Sequence, residues 1–223
     1  ADRGVHVRIL VDGMESWIDM EGNPYFYGLS SHENVEIKLY NKANPLKPWK
    51  TMGRMHDKYL IADGKIYILG GRNTYNYFLG DFPGHKNFDR DVLVVCDEPQ
   101  KDNSVNQLWN YFETIWEQED CRYFHNSKKL ADRQSVKKAV LELQEGYQQY
   151  FEVNKEKICD TDYADETFET EKITLLSNPI HTGAKEPVVW YQLGELMKNA
   201  KERVKIHTPY IICNDMMYNT WEE

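Results

Sequence analysis

The sequence predicts an α/β fold, and three patterns indicate it. Residues 5–11 and 35–40 alternate apolar and polar side chains, which is typical of β-strands. Residues 104–118 repeat apolar side chains at helical spacing, which predicts an amphipathic helix. An Asp-Gly pair at positions 63–64 separates two short apolar runs, and this arrangement favours a tight β-hairpin. Strands and helices therefore alternate along one chain, with a hairpin near its centre.

Length and composition allow one large domain or two modest ones. The chain has 223 residues, of which 41% are hydrophobic and 13% aromatic, so it can build a sizeable core. We predict a first unit over residues 1–153 and an exposed acidic linker over 154–171. A second unit is predicted over 172–223, with strands at 173–176 and 203–210 flanking a helix at 187–200.

Charge is distributed unevenly along the chain. The formal net charge is −9, which argues against nucleic acid as the main partner. Residues 41–72, however, contain seven basic residues and two acidic ones, whereas residues 97–171 contain nine basic and eighteen acidic ones. A basic segment in an acidic chain suits a phosphate-bearing substrate. The alternative is a group of solvated lysines on a loop.

The spacing of the four cysteines suggests the cellular compartment of the protein. Their wide spacing includes no C-x-x-C pair, so it indicates neither a metal site nor a disulfide framework. A reducing compartment is the simpler interpretation, which predicts a cytoplasmic location. The sequence has no signal-peptide pattern and no apolar run of membrane-spanning length.

The segment around the hairpin contains several residues of the kind that bind phosphate. His56 and Lys58 are two residues apart and would share one face of a strand. Gly71 and Asn73 are also two residues apart and would share one face of the returning strand. A tight hairpin would therefore bring all four residues together. Adjacent glycines allow a ligand to approach the backbone closely. An imidazole, an ammonium and a carboxamide beside bare amides predict a phosphate site that contains a nucleophile or a general acid/base.

The same segment resembles a known family. From His56 to Asn73 the chain reads His-x-Lys-x4-Asp-x6-Gly-Gly-x-Asn, which resembles the HKD motif of the phospholipase D superfamily. The Gly-Gly-Arg-Asn ending is most similar to bacterial cardiolipin synthases and related phosphatidyltransferases. The resemblance implies a phospholipase D-like fold, which is a mixed β-sheet sandwiched by helices. In that family two such units face each other, and each contributes one motif to a single cleft.

The resemblance also implies phosphatidyl transfer through a covalent phosphohistidine. His56 would attack phosphorus, while the His of a second motif would protonate the leaving alcohol. Lys58 and Asn73, with the backbone at Gly71, would hold the phosphoryl oxygens as charge builds. Asp63 would complete the motif by tuning or anchoring it without contacting phosphorus.

An acidic residue near the start of a later strand orients the nucleophilic His in this family. Asp91 is the candidate here, with Asp89 as the alternative, because a carboxylate on the far ring nitrogen fixes the tautomer. Either aspartate could instead form an ordinary ion pair with Arg90 or another neighbour. The resemblance implies no metal and no cofactor.

The chain contains one HKD motif, so we expect the first catalytic half, trimmed at its start, followed by the start of a second half. The missing C-terminal half or a second copy would then be needed to complete the site. The expected substrate is a phospholipid such as phosphatidylglycerol, with peripheral contact at the inner membrane surface. A phospholipase D-type hydrolase, a nuclease and a non-enzymatic binding remnant are the alternatives.

Residues 41–53 are predicted to form a loop over the mouth of the site. Residues 74–86 would either close on substrate or pack their aromatic side chains beneath a loop.

Overall fold

The chain folds into two compact units, Ala1–Thr174 and Leu175–Glu223. The computed structural model describes residues 1–42, 44–75, 77–79, 83–96, 102–208 and 210–222. The elements of these residues are β1 (Val7–Asp12), α1 (Gly13–Asp19), α2 (Pro24–Ser30), β2 (Val35–Tyr40), a 3₁₀ helix (Pro48–Met52), β3 (Tyr59–Ala62), β4 (Ile66–Gly70), β5 (Asp91–Val95), α3 (Ser104–Trp116), β6 (Cys121–Tyr123), α4 (Lys128–Ala131), α5 (Gln134–Cys159), α6 (Val188–Lys198) and α7 (Asp215–Glu222).

A mixed three-stranded sheet forms the centre of the first unit. β1 runs parallel to β2, and β6 pairs antiparallel with the other edge of β2. Alternate side chains of β2, among them Ile37 and Leu39, enter the main hydrophobic core. Tyr27 of α2 and Val136 of α5 are buried in the same core, so these helices cover one face of the sheet.

The other face of this sheet carries two cations that meet α3. The guanidinium of Arg8 pairs with Glu113 and lies 5.0 Å from the ring centre of Phe112. Lys38 Nζ donates to the carbonyl of Trp116 at 2.8 Å and lies 4.6 Å from the centre of that ring. Buried cations need such partners, and aromatic faces supply part of them. Helices therefore pack on both faces of a mixed sheet, which confirms the predicted α/β class.

A second, antiparallel sheet has the order β3-β4-β5 and packs against the same helix. Tyr67 of β4 donates its hydroxyl to Ser104 Oγ at 3.2 Å, and the ring of Tyr59 lies 6.4 Å from that of Phe112. Leu60 and Ile68, on the opposite face, are 60% and 43% exposed. α3 is thus a shared support for both sheets.

The predicted helix of the first unit is confirmed, and a longer helix follows it. The predicted helix 104–118 is α3, Ser104–Trp116. α5 begins at Gln134, with Arg133 in the N-cap position. α5 also continues to Cys159, beyond the predicted start of the linker, because Lys and Glu are good helix formers. Its backbone is non-helical at Asn154, where the linker was expected to begin.

The second unit contains the helices α6 and α7. α6 confirms the predicted helix, whereas residues 173–176 and 203–208 are not strands in the described structure. A strand needs a hydrogen-bonded neighbour, and the described part of the second unit provides none for these residues. Pro209, in the second predicted strand, lies outside the described residues. Side chains of α6 and of residues 203–213 line an apolar pocket of about 650 Å³.

Candidate functional site

The predicted hairpin is confirmed as β3-turn-β4. Asp63 and Gly64 both have positive φ, 52° and 66°, and the amide of Lys65 donates to the carbonyl of Ala62 at 3.0 Å. Two successive positive φ values are typical of a type I′ turn, whose twist matches the flanking strands. The chemistry of the Asp-Gly pair therefore sets the register of the segment.

The open end of the hairpin brings its two chain segments together. The amide of Gly70 donates to the carbonyl of Lys58 at 3.1 Å, so Lys58 lies opposite Gly70. The sequence had predicted only that His56 and Lys58 would lie close to Gly71 and Asn73, and Gly70 is the residue directly opposite Lys58. Asp63 is exposed in the turn at the other end, about 16 Å from Lys58 along the strand. The structure thus separates Asp63 from the other motif residues.

Lys58 folds back onto the motif. Its Nζ donates to the carbonyl oxygen of His56 at 2.6 Å, while His56 itself is exposed. Burial lowers the pKa of Lys58, and the nearby carboxylates of Asp57 and Asp89 partly oppose this effect. The tripeptide therefore carries an exposed imidazole and an ammonium that is held by the motif's own backbone.

The space beside the two glycines is filled by carboxylates. A Cβ on Gly70 would collide with the Asp91 carboxylate, and a Cβ on Gly71 would lie 2.7 Å from Asp89 Oδ2. The sequence had suggested that these glycines leave room for a ligand. The structure corrects that interpretation: their missing side chains make room for Asp89 and Asp91.

Arg72 joins the end of the motif to the following loop and to β5. Its Nε donates to Asp91 Oδ2 at 2.6 Å, and its terminal nitrogens donate to the carbonyls of Asp89 and Phe78 at 3.0 and 2.6 Å. Among the described residues, Asp91 is therefore held by Arg72 and makes no hydrogen bond to His56. The pairing of Gly70 with Asp91 places this carboxylate beside the Gly-Gly-Arg segment. A His-orienting role for Asp91 stays a prediction, as does phosphate binding by the half-buried Asn73.

Asp12 connects the end of β1 to the segment that precedes His56. Its Oδ1 accepts hydrogen bonds from the amides of Met14 and Glu15 and so caps α1. Both carboxylate oxygens also accept from Arg54 Nε at 2.9 Å, and Oδ2 accepts from the amide of Met55 at 3.0 Å. Burial alone would raise the pKa of Asp12, but these hydrogen bonds outweigh it and hold that pKa below its usual value.

The sequence did contain a signal for Asp12. Asp12 and Glu15 have the spacing of a capping box, an acceptor side chain followed three residues later by Glu. Arg54, its other partner, lies 42 residues away in sequence, and no local pattern predicts that contact.

Ion pairs neutralise most of the basic segment. Four of the seven basic residues between positions 41 and 72 form pairs within 4 Å: Lys42 with Glu21, Lys50 with Asp120, Arg54 with Asp12 and Glu15, and Arg72 with Asp91. Lys47, Lys58 and Lys65 form no ion pair with any residue that the structure describes. Lys58 is therefore the available cation next to His56.

α3 also contacts the middle of the His-x-Lys tripeptide. Tyr111 donates its hydroxyl to Asp57 Oδ2 at 2.7 Å, and its ring lies 6.2 Å from that of Tyr59. Burial and the hydrogen bond to Asp57 raise the pKa of Tyr111, so the hydroxyl stays protonated and remains a donor at neutral pH. Because Asp57 lies between His56 and Lys58, this contact fixes the backbone that carries both. Tyr111 lies outside the predicted apolar stripe of its helix, so the sequence offered no signal for it.

The described residues show neither a metal-binding cluster nor a membrane-spanning helix. No group of three or more His, Cys, Asp or Glu side chains in the described part of the chain is arranged to hold a metal ion. No helix within the described ranges combines the length and the apolar character needed to cross a membrane. The cysteines at positions 96, 121, 159 and 213 form no disulfide bonds in the structure.

Comparison with curated proteins returns distant relatives. The chain is 26% identical to an uncharacterized protein of Helicobacter pylori strain 26695 over 245 aligned residues, covering 97% of this chain and 45% of that protein. The corresponding protein of strain J99 is also 26% identical, with 95% and 44% covered. Cardiolipin synthase C of Escherichia coli K12 is 28% identical over 109 residues, covering 43% of this chain and 21% of that protein. The chain thus spans less than half the length of these relatives.

No solved structure matches the chain. The sequence profile described as "Cardiolipin synthase, PLD-like domain" matches residues 1–116, which include β1, β2, the motif hairpin, β5 and α3. This match covers more than half of the chain and contains the whole of the site described above. The chain therefore belongs to the cardiolipin synthase PLD-like domain family, within the phospholipase D superfamily.

Proposed function

We propose that this chain contributes the nucleophilic half of a phosphatidyltransferase of the cardiolipin synthase type. The observation that carries the proposal is the exposed His56 next to Lys58, an ammonium to which the described residues offer no ion pair. A phosphodiester anion would be drawn to Lys58 and would meet the imidazole there. Membership of the family, and a distant relative named cardiolipin synthase C, support a phospholipid as the substrate.

The proposed reaction has two displacement steps. An imidazole nitrogen of His56 attacks phosphorus, the P–O bond to the leaving alcohol breaks, and a His from a second motif gives that oxygen its proton. An acceptor alcohol then attacks phosphorus while the second His takes its proton, and the P–N bond breaks to restore His56. Lys58 and Asn73 would balance the negative charge that builds on the phosphoryl oxygens. Asp63 would act as an anchor, since it lies at the far end of the hairpin.

The second His must come from outside this motif. The curated relatives are more than twice as long as the part this chain matches, so further sequence is one proposed source. A second copy of the chain, with two His56 side chains in one cleft, is the other. We expect the isolated monomeric chain to show little or no turnover compared with a longer form of the protein that contains a second motif.

Product analysis distinguishes transfer from hydrolysis. Labelled phosphatidylglycerol in mixed micelles is incubated with the longer form and a graded concentration of an acceptor alcohol. Transfer predicts a new phosphodiester that increases with the alcohol and exceeds phosphatidic acid. Phosphatidic acid as the sole product would replace the proposal with a phospholipase D-type hydrolase. Absence of turnover together with absence of any phosphatidyl adduct on His56 would favour a binding remnant.

The Tyr111–Asp57 contact makes a separate prediction. Tyr111→Phe should lower kcat about tenfold with little change in KM, because losing one hydrogen bond to a carboxylate loosens the His56–Lys58 backbone without touching substrate. Asp57→Ala should have a similar effect, and the double variant should be no worse than either single one. Tyr123→Phe is the matched control, since Tyr123 donates to Glu36 at 3.0 Å on an exposed surface elsewhere. Additive losses, or an equal loss in the control, would contradict a positioning role for Tyr111.

A further inference from the structure

We propose that the loop before His56 docks on the surface of an anionic phospholipid bilayer. The Trp49 loop, residues 44–53, presents three large apolar side chains to solvent. Leu46, Trp49 and Met52 are 84%, 72% and 87% exposed. This inference rests on the proposed lipid substrate, and it adds the surface by which the protein would reach that lipid.

The loop holds these side chains in an ordered arrangement. Residues Pro48–Met52 form a 3₁₀ helix, in which side chains three apart lie one above the other, so Trp49 and Met52 share a side. Asn41 clamps the base of the loop, because its Nδ2 donates to the carbonyls of Lys50 and Gly53 at 2.6 and 2.8 Å.

Two further contacts support the loop from either end. The Asn44 side chain accepts the amide of Leu46 at 2.9 Å, and Lys50 pairs with Asp120 at 2.9 Å. The exposed apolar side chains therefore belong to a hydrogen-bonded projection, which reduces the conformational entropy lost when it inserts.

The charges of the loop match an anionic surface. Residues 41–56 contain no Asp or Glu. Lys47, between Leu46 and Trp49, is exposed and forms no ion pair with the described residues. Trp with neighbouring apolar side chains and Lys is the composition that favours the headgroup region of a bilayer.

The size of the loop also favours a bilayer over a protein partner. Stable protein interfaces use about 20–30 residues a side, whereas this projection offers three apolar side chains and one lysine. A bilayer can take up a projection this small because it adapts to its shape.

Docking here would place the reaction where the substrate is. Met52 precedes His56 by four residues, a separation that spans at most about 14 Å. An inserted Trp49 loop would therefore hold His56 within reach of headgroup phosphates.

Vesicle flotation tests the inference without relying on turnover. The protein is mixed with vesicles of phosphatidylcholine alone or with added phosphatidylglycerol, and the bound fraction is measured. We expect binding that increases with phosphatidylglycerol, and about a tenfold loss of partitioning in the variant Leu46→Ser/Trp49→Ser/Met52→Ser. Lys47→Glu should weaken binding to the anionic vesicles about fivefold and leave binding to neutral ones unchanged.

The control replaces an equally exposed apolar side chain elsewhere. Phe168 is 94% exposed in the acidic segment before the second unit, and Phe168→Ser should bind vesicles like the wild type. Circular dichroism of each variant confirms folding, and Lys47→Glu/Trp49→Ser supplies a milder second variant. Wild-type binding by the triple variant, or no binding of the wild type to anionic vesicles, would overturn the inference. A triple variant that loses self-association in sedimentation, with unchanged vesicle binding, would assign the loop to a second copy instead.

The outcome is separable from that of the proposed function. His56→Asn should remove turnover and leave vesicle binding intact. A protein that binds vesicles through the Trp49 loop but never forms a phosphatidyl adduct would retain the docking surface and lose the transferase proposal.

Discussion

Replacing His56 with asparagine should lower kcat at least about a thousandfold, because an amide side chain cannot supply the imidazole nitrogen that is proposed to form the covalent intermediate. The preparation must be a form of the protein that turns over phospholipid. Intact-protein mass spectrometry after rapid acid-free quenching should show a phosphatidyl adduct on the wild type and none on the variant. Lys58→Ala should also lower kcat, but should still allow slow formation of the adduct.

The matched control is His6→Asn, since His6 is exposed just before β1 and far in sequence from the motif. This variant should keep wild-type turnover. An adduct of unchanged yield in His56→Asn would show that the nucleophile lies elsewhere and would overturn the role given to His56.

Removing the Asp12 carboxylate should cost the first unit about 3 kcal/mol of folding free energy. Asp12→Ala loses the cap of α1 and the acceptor for the Met55 amide, and it leaves the Arg54 guanidinium without this partner. Urea unfolding followed by circular dichroism measures the loss, which should lower the melting temperature by roughly 6–12 °C.

Asp2→Ala provides the comparison. Asp2 also pairs with a basic side chain, His32 at 2.9 Å, but 71% of the Asp2 side chain is exposed, so its removal should change stability by less than about 0.5 kcal/mol. Equal losses in the two variants would show that the hydrogen bonds to Asp12 contribute nothing beyond an ordinary surface pair.

The same residue predicts a dependence on pH. The pKa of folded Asp12 lies below its ordinary value of 3.8, so its contribution is fully present above that value. The contribution is lost as the pH falls through the folded pKa, because protonation then removes the charge that holds Arg54. Asp12→Asn, which keeps an acceptor oxygen for the cap, should show a shallower loss of stability in this acid range than the wild type.

Local patterns in the sequence predicted the elements that depend on local physics. The Asp63-Gly64 pair specified the hairpin because positive φ at both positions is a property of those two residues. The stripe of α3 was predictable because its buried members Val105, Leu108 and Ile115 recur at helical spacing. The hairpin in turn predicted that His56 and Lys58 lie at its open end.

Contacts between distant segments could not be predicted from local patterns. The Asp12–Arg54 and Arg72–Asp91 pairs join residues 42 and 19 positions apart. The alternation of side chains within one strand predicts neither pair. The residue opposite Lys58 at the open end was not predicted, because the pairing of Lys58 with Gly70 depends on the ladder and not on the motif's spacing. The strands predicted near and within the second unit are absent from the described residues for a related reason. An alternating pattern becomes a strand only when another strand pairs with it.

The shared support of the two sheets by α3 has a consequence for how the first unit unfolds. Arg8 on the mixed sheet and Tyr67 on the antiparallel sheet contact the same helix, so neither sheet can expose its inner face while α3 stays in place. Loss of the helix would open both sheets at once and would release the His56 hairpin with them. Amide protons of β1, β2, β3 and β4 should therefore exchange with solvent through one common opening event, and cooperative unfolding of the fold and loss of the site become the same transition.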